Sequence, residues 1–212
     1  MNLEKLFEMQ KKLDETIEKN HPTRKGEDRL SKKVLALLVE LSECAQESRC
    51  FKFWSNDQEP RTEVENKCLE CKGEGFDSYW TDEGQKYDQC ECCCGTGIVG
   101  KSNPLLEEYV DCLHFILSIG NDVYGELAAE QITEILVYAK IMDEFLDAGV
   151  TFIVLNSYLI DLIQKEFKYQ DYKDFITIFL NLGLLLGFTW EQIEQAYYDK
   201  NKVNFERQEQ GY

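Results

Sequence analysis

The chain has 212 residues, of which 43% are hydrophobic, enough for one compact domain or one domain with a small insert. Its 23 basic and 40 acidic residues give a net charge of −17, which argues against direct nucleic-acid binding, since that binding usually depends on a basic surface. The charged start, "MNLEKLFEMQKKLDE", has no signal-peptide core, and the longest apolar stretch (176–190) is too short to span a bilayer. We therefore expect a soluble cytoplasmic protein that does not bind membranes.

Helical periodicity predicts an all-α fold for most of the chain. The predicted helices lie at about 2–19, 28–50, Pro104 to Gly120-Asn121, 126–147, 150–168 and 171–186. The β-branched run at 150–156 is compatible with a strand, but the continuing pattern favours a helix. A last helix is expected to begin at "FTWEQI", where Thr189 and Gln192 have capping-box spacing. Residues 56–103 interrupt the pattern, and only short strands are expected there.

The interruption contains two copies of one cysteine pattern. "CLECKGEG" (68–75) and "CECCCGTG" (90–97) each read Cys-x-x-Cys-x-Gly-x-Gly, a spacing typical of four-thiolate zinc sites. Cys92 and Cys94 allow other choices of the two ligands in the second loop, but only Cys90 and Cys93 repeat the full glycine pattern. Four thiolates leave no open coordination position, so a structural role is favoured over a redox or partner-binding role. The predicted zinc ligands are Cys68, Cys71, Cys90 and Cys93.

Carboxylates recur on two helices that are otherwise strongly apolar. The run "VLALLVELSECAQE" carries Glu40, Glu43 and Glu47 on one side of a helix that is apolar nearly all round and is therefore expected to be buried. "PLLEEYVDCLHFIL" places Glu108 and Asp111 one turn apart. Buried like charges are costly unless a cation lies among them. Facing helices of this kind would form an oxygen-rich site for one or more Mg²⁺ ions, with a solvated acidic face as the alternative.

The end of the chain predicts a polar, partly cationic helix face. Its members recur at spacings of three and four: Lys200, Asn201, Asn204, Arg207 and Gln208. Such a face suits phosphate oxygens, although a solvated last turn favoured by the helix dipole gives the same pattern.

Four segments in this order resemble the all-α dimeric dUTPases, relatives of the MazG-type nucleotide pyrophosphatases. They are "EMQKKLDE", "LLVELSECAQESRCFKFW", "LLEEYVDCLHFILSIG" and "LGFTWEQIEQAYYDKNKVNFERQEQGY". The resemblance implies a MazG-like helical bundle over 1–55 and 104–212, with 56–103 as an inserted zinc-binding module. It also implies a homodimer that hydrolyses dUTP, and dUDP, to dUMP by Mg²⁺-activated water.

The resemblance further implies residue roles. Glu40, Glu43, Glu108 and Asp111 match Mg²⁺ ligands; Glu40 and Glu43 are the catalytic candidates, with Glu40 as the base. Gln10 matches the position that reads the uracil edge. Trp54 would wall the base or sugar, and His114 would stand near the deoxyribose. The phosphate-side residues, some of which would serve the partner subunit's site, are Lys52, Lys200, Asn201, Asn204 and Arg207.

Two other functions stay open at this point. The first is a MazG-like pyrophosphatase with the same fold that acts on dCTP or on several nucleotides. The other is an acidic, zinc-stabilised protein-binding module without activity. Individually, Trp54 also fits a core position and His114 a hydrogen-bonded structural role.

Overall fold

The computed structural model of the protein describes residues 1–125, 127–141, 147–164 and 168–211. These residues fall into two compact units, a helical unit of Met1–Pro60 with Leu105–Tyr212 and a small unit of Arg61–Pro104. The helical elements are α1 (Leu3–Asn20), α2 (Arg29–Ser48), α3 (Pro104–Tyr124), α4 (Ala129–Ile141), α5 (Ala148–Gln164), α6 (Tyr169–Leu185) and α7 (Trp190–Glu209). The small unit contains β1 (Val64–Lys67), β2 (Phe76–Thr81), β3 (Gly84–Gln89) and β4 (Ile98–Ser102). The predicted all-α class with a cysteine insert is confirmed.

Helix α3 continues beyond its predicted end at Gly120-Asn121 and reaches Tyr124. Gly120 lies inside the helix because Tyr172 of α6 packs directly on it; a Cβ at this position would lie 2.1 Å from the tyrosine hydroxyl oxygen. The glycine therefore permits close packing of two helices and does not end one. Gly125, with φ of +69°, follows the end of the helix instead.

The β-branched run at 150–156 is helical, as predicted, and belongs to α5. Parts of the predicted helices, residues 126, 142–146 and 165–167, lie outside the described residues.

The core of the helical unit is built around α3, whose buried side chains run along its whole length. Tyr109 donates a hydrogen bond to the Phe179 carbonyl at 3.1 Å, and Tyr172 donates one to the Ile116 carbonyl at 3.1 Å. Helix α1 packs against α7, α4 and α5 pack against α6, and α2 packs against α5. The hydrogen bonds of Tyr109 and Tyr172 tie α3 to α6.

The expectation that α2 is buried on all sides is wrong for the single chain. Leu37 and Leu41 are fully buried, but Leu35 is 63% exposed and Val39 is 48% exposed. On α5, which packs against α2, Ile153 is 69% exposed. Apolar periodicity identifies side chains that avoid water but does not say whether the same chain covers them. Exposed apolar side chains on neighbouring helices are typical of surfaces that contact another molecule.

Helix α7 begins at the predicted capping box. The Gln192 backbone N–H donates to Thr189 Oγ1 at 3.2 Å, and the Thr189 backbone N–H donates to Gln192 Oε1 at 2.8 Å. This box fixes the first turn of α7, and the helical period then determines which side chains farther along share a face.

Within the described residues, no single helix combines the length and hydropathy needed to cross a membrane; α6 and α7 meet those criteria only as a pair, bent by 107°.

Candidate active site

Three carboxylates from two helices converge in the helical unit. One oxygen each of Glu40 on α2 and of Glu108 and Asp111 on α3 lies within 4.8 Å of the other two. Burial and then the neighbouring charge of Asp111 raise the pKa of Glu108 to about 7, and the same two causes raise the pKa of Glu40. The cluster thus carries more negative charge than its surroundings stabilise, which is the condition for a cation site.

The donor set fits Mg²⁺, because every converging atom is a carboxylate oxygen and hard divalent cations prefer such ligands. Lys200 of α7 offsets part of the negative charge: its Nζ donates to Asp111 Oδ2 at 2.5 Å. Burial raises the pKa of Asp111, and the ion pair with Lys200 offsets only part of that rise. A positive group therefore already lies beside the cluster.

Glu43 and Glu47 stand apart from the three converging carboxylates. Glu43 is exposed on the next turn of α2, and its charge contributes to the raised pKa values of Glu40 and Glu108. The structure therefore brings together three of the four predicted Mg²⁺ ligands and leaves Glu43 at the edge of the cluster. Its role as a ligand stays a prediction.

A cavity of about 930 Å³ adjoins these carboxylates, a size common for small-molecule sites. Seven of the residues predicted for the active site line it: Gln10, Glu40, Asp111, His114, Lys200, Asn204 and Arg207. Acidic, cationic and amide side chains thus share one cavity, a mixture that suits a metal-bound phosphate ester with a polar base.

Three predicted substrate residues are not among the described residues that line this cavity. Trp54 is 65% exposed and makes edge-on contacts with Phe51 and Phe53. Lys52 Nζ lies 5.7 Å from the centroid of the Phe51 ring. Asn201 is buried within the fold. The substrate roles of Lys52, Trp54 and Asn201 stay predictions.

Gln10 belongs to a buried hydrogen-bond network that joins α1, α3 and α7. Its Oε1 accepts from the Tyr197 hydroxyl at 2.9 Å and lies 2.7 Å from His114 Nδ1, while its Nε2 donates to Asp14 Oδ1 at 2.9 Å. The His114 and Tyr197 rings stack with centroids 4.1 Å apart. Burial lowers the pKa of His114 to about 3, so the ring is neutral, and Nδ1 carries its proton because it faces an amide oxygen.

Two members of this network, Asp14 and Tyr197, are absent from the sequence prediction. A signal was present for each: Asp14 is four residues after Gln10, one turn along the same helix face, and Tyr197 is three residues before Lys200. Neither spacing shows which face of α1 packs against which face of α7. The shared contact of Asp14 and Tyr197 with Gln10 depends on that packing.

The small unit holds a four-cysteine cluster. The Sγ atoms of the four predicted ligands lie within 4.8 Å of one another, with Cys68–Cys90 at 3.8 Å and Cys71–Cys93 at 3.7 Å. Tetrahedral zinc with Zn–S bonds of about 2.3 Å requires S···S separations of about 3.8 Å, so the cluster fits zinc. Cys92 and Cys94 are exposed and lie outside it.

The glycine pattern around the cysteines has a steric cause. Gly75 and Gly97 have φ values of +84° and +74°, and their backbone N–H groups donate to Cys71 Sγ and Cys93 Sγ, each at 3.2 Å. A Cβ on Gly75 would lie 2.5 Å from the Gly95 carbonyl oxygen, so the two loops approach too closely for any side chain.

Comparison with known families agrees with this architecture. A family model described as dUTPase matches residues 2–70 and 99–212, which include the seven described helices and the three converging carboxylates. Residues 71–98, which contain three of the four clustered cysteines, lie outside the match. None of the curated proteins compared matches the chain. With a MazG-like helical fold and a family match over most of its length, the chain belongs to the all-α dUTPase family.

Proposed function

We propose that the protein hydrolyses dUTP, and dUDP, to dUMP in a Mg²⁺-dependent reaction. The observation that carries this proposal is the cluster of Glu40, Glu108 and Asp111 beside a cavity of nucleotide size. The family match adds that relatives act on a nucleotide of this class. Water would add to the α-phosphorus and the α–β anhydride bond would break, releasing pyrophosphate from dUTP or phosphate from dUDP.

The carboxylates Glu40, Glu43, Glu108 and Asp111 would hold Mg²⁺, and their combined charge suits more than one ion. When bound, Mg²⁺ supplies charge neutralisation of the polyphosphate and lowers the pKa of a nearby water. Glu40 would accept the proton of the attacking water. Its pKa, raised by burial and by its acidic neighbours, makes it a stronger base than an ordinary glutamate.

The cationic face of α7 would bind the polyphosphate. Lys200, Asn204 and Arg207 line the cavity, and their charges and amide suit phosphate oxygens. Lys200 is paired with Asp111 and would become available to a phosphate oxygen if Asp111 were to hold Mg²⁺ instead. Gln10 would read the uracil edge, and His114 would stand beside the deoxyribose.

The active form is proposed to be a homodimer. The support is the exposed apolar surface on α2 and α5, which includes Leu35, Val39 and Ile153. A second copy covering this surface would remove it from water, and each Å² of apolar area buried in this way would stabilise the dimer by about 25 cal/mol. Lys52 and Trp54 would then serve the nucleotide site as part of the assembled dimer.

Zinc is proposed as the second metal, held by Cys68, Cys71, Cys90 and Cys93 in a structural site. Its support is the fit of the sulfur separations to tetrahedral coordination.

The experiment is a panel of dUTP, dUDP, dCTP, dTTP and UTP with Mg²⁺, in which release of pyrophosphate or phosphate is measured. We expect turnover of dUTP and dUDP only, and a loss of at least about 100-fold in Glu40→Gln. Glu107→Gln is the matched control, since Glu107 is exposed in the first turn of α3. Equal turnover of several bases would indicate a broader MazG-like specificity, and no turnover by folded protein with Mg²⁺ would refute the enzyme function.

A further inference from the structure

The hairpin of β2 and β3 in the small unit carries aromatic side chains on one face. The two strands pair antiparallel, with Ser78 opposite Tyr87 and Trp80 opposite Gln85. Because side chains alternate along a strand, Phe76, Trp80 and Tyr87 point to the same side. The rings of Phe76 and Tyr87 make an edge-on contact, with centroids 5.2 Å apart. Phe76 is 41% exposed, Tyr87 58% and Trp80 78%. These three side chains are called the hairpin face below.

The hairpin is fixed at both ends by hydrogen bonds. At its base, the Cys90 N–H donates to the Gly75 carbonyl at 3.0 Å, and the Gly75 N–H donates to Cys71 Sγ at 3.2 Å. At its turn, Thr81 Oγ1 donates to the Gly84 carbonyl at 3.0 Å. The hairpin face is thus formed before a partner arrives, which lowers the cost of ordering it on binding. Aromatic side chains that a fixed hairpin leaves in water are typical of contact surfaces.

A groove of about 630 Å³ adjoins the hairpin face. Phe76, Tyr87 and Asp88 line it together. Aromatic rings attract cations through the negative charge of their faces, and a carboxylate attracts them directly. A guanidinium or ammonium group in this groove would therefore meet two rings and one carboxylate.

The charge of the hairpin argues against a second copy of the chain and against nucleic acid as the partner. Residues 76–89 contain four carboxylates, and their one basic side chain, Lys86, is paired with Glu83 at 2.9 Å. Asp77 stands opposite Asp88 in the strand register, where like charges repel. Two such hairpins would repel each other, as would the hairpin and a phosphate backbone, whereas a cationic partner would be attracted.

We propose that the hairpin face binds a cationic segment of another protein. Arg or Lys side chains of that segment would enter the groove beside Phe76, Tyr87 and Asp88, and its apolar side chains would cover Trp80. The binding would not depend on nucleotide hydrolysis, so it adds a docking function to the proposed enzyme. A surface of this small size suits a reversible contact, with a dissociation constant of about 1–100 µM.

The first step of the test identifies a ligand without assuming one. Short random peptides displayed on phage are selected on the full chain prepared with Zn²⁺, and the enriched peptides are sequenced. We expect them to carry a net positive charge from Arg and Lys. Enrichment of neutral or acidic peptides, or no enrichment at all, would overturn the proposal.

The second step locates the binding surface, because an acidic protein can attract cationic peptides elsewhere. Fluorescence anisotropy of one labelled, selected peptide compares the unmodified chain with Trp80→Thr, which removes the ring and keeps a strand-forming side chain. We expect binding to weaken about tenfold or more. Tyr79→Thr is the matched control: it removes a ring from the opposite side of β2 and should change binding by less than about twofold.

Equal zinc content in the three proteins establishes that the small unit is folded in each. Asp88→Asn provides an independent variant that keeps all the rings, and we expect it to weaken peptide binding about threefold or more. Unchanged binding in Trp80→Thr, or an equal loss in Tyr79→Thr, would exclude the hairpin face as the docking site. Self-association of the chain that Trp80→Thr abolishes, without peptide binding, would identify a second copy as the occupant and contradict the proposal.

Discussion

Mg²⁺ binding should be coupled to proton release at Glu108. Its pKa of about 7, raised by burial and then by Asp111 and the other neighbouring carboxylates, means that the metal-free cluster keeps a proton near neutral pH. A metal ion requires the ionised carboxylate, so protons compete with Mg²⁺ below pH 7 and not above it. Lowering the pH from 8 to 6 should therefore weaken Mg²⁺ binding.

The expected change in Mg²⁺ affinity follows from the titration of Glu108 alone. At pH 6 about one carboxylate in eleven is ionised, compared with about ten in eleven at pH 8, so the Mg²⁺ affinity should fall about tenfold, or about 1.4 kcal/mol. The raised pKa of Glu40 acts in the same direction. A glutamate with an ordinary pKa of about 4.3 would change the affinity by only a few per cent over the same range.

Isothermal titration with Mg²⁺ at pH 6, 7 and 8, in two buffers with different heats of ionisation, measures the affinity and the protons released. We expect release of about one proton per ion at pH 6 and almost none at pH 8. Glu108→Gln should bind Mg²⁺ more weakly at pH 8 and lose most of the pH dependence, whereas Glu107→Gln should behave like the unmodified chain. An affinity that is independent of pH from 6 to 8 would show that Glu108 does not release a proton when Mg²⁺ binds.

Four further predictions concern other parts of the molecule. Gly120→Ala should lower the free energy of unfolding by about 1–3 kcal/mol in urea titrations, because a Cβ there collides with Tyr172; an unchanged midpoint would contradict the close packing of α3 and α6. His114 is neutral in the fold down to pH about 3 but titrates near pH 6.5 when unfolded, so stability relative to His114→Gln should fall by about 1.4 kcal/mol per pH unit as the pH drops below 6.5; parallel pH profiles of the two proteins would exclude this. Cys93→Ser should reduce the zinc content measured by mass spectrometry, whereas Cys94→Ser should leave it unchanged, and equal losses would refute the assigned ligand set. Ile153→Asp should shift the sedimentation coefficient from dimer to monomer, and a dimer of undiminished stability would exclude the α5 surface from the interface.

The sequence predicted the features that depend on local order. The start of helix α7, directly after Thr189, was predicted because the capping box lies within four consecutive residues. The cysteine cluster could be predicted for the same reason, since each loop carries two of the clustered cysteines and its own glycines. The carboxylates of α2 and α3 were identified because acidic residues on strongly apolar helices conflict with ordinary burial.

Features that depend on how the helices pack together could not be predicted from the sequence in this way. Asp14 and Tyr197 belong to the site only because α1 and α7 pack together and Gln10 lies between their side chains. Gly120 has the composition of a helix end, but its neighbour in space, Tyr172, gives it a different role. The exposure of Leu35 was mispredicted because an apolar side chain has the same sequence signal whether its own chain or another molecule covers it.

The most direct test of the proposed activity is hydrolysis of dUTP with Mg²⁺ in ¹⁸O-labelled water, followed by mass spectrometry of both products. Attack at the α-phosphorus, as we propose for the site formed by Glu40, Glu108 and Asp111, predicts one labelled oxygen in dUMP and none in pyrophosphate. Label in pyrophosphate would contradict the proposed point of attack, and the absence of dUMP would contradict the proposed activity itself.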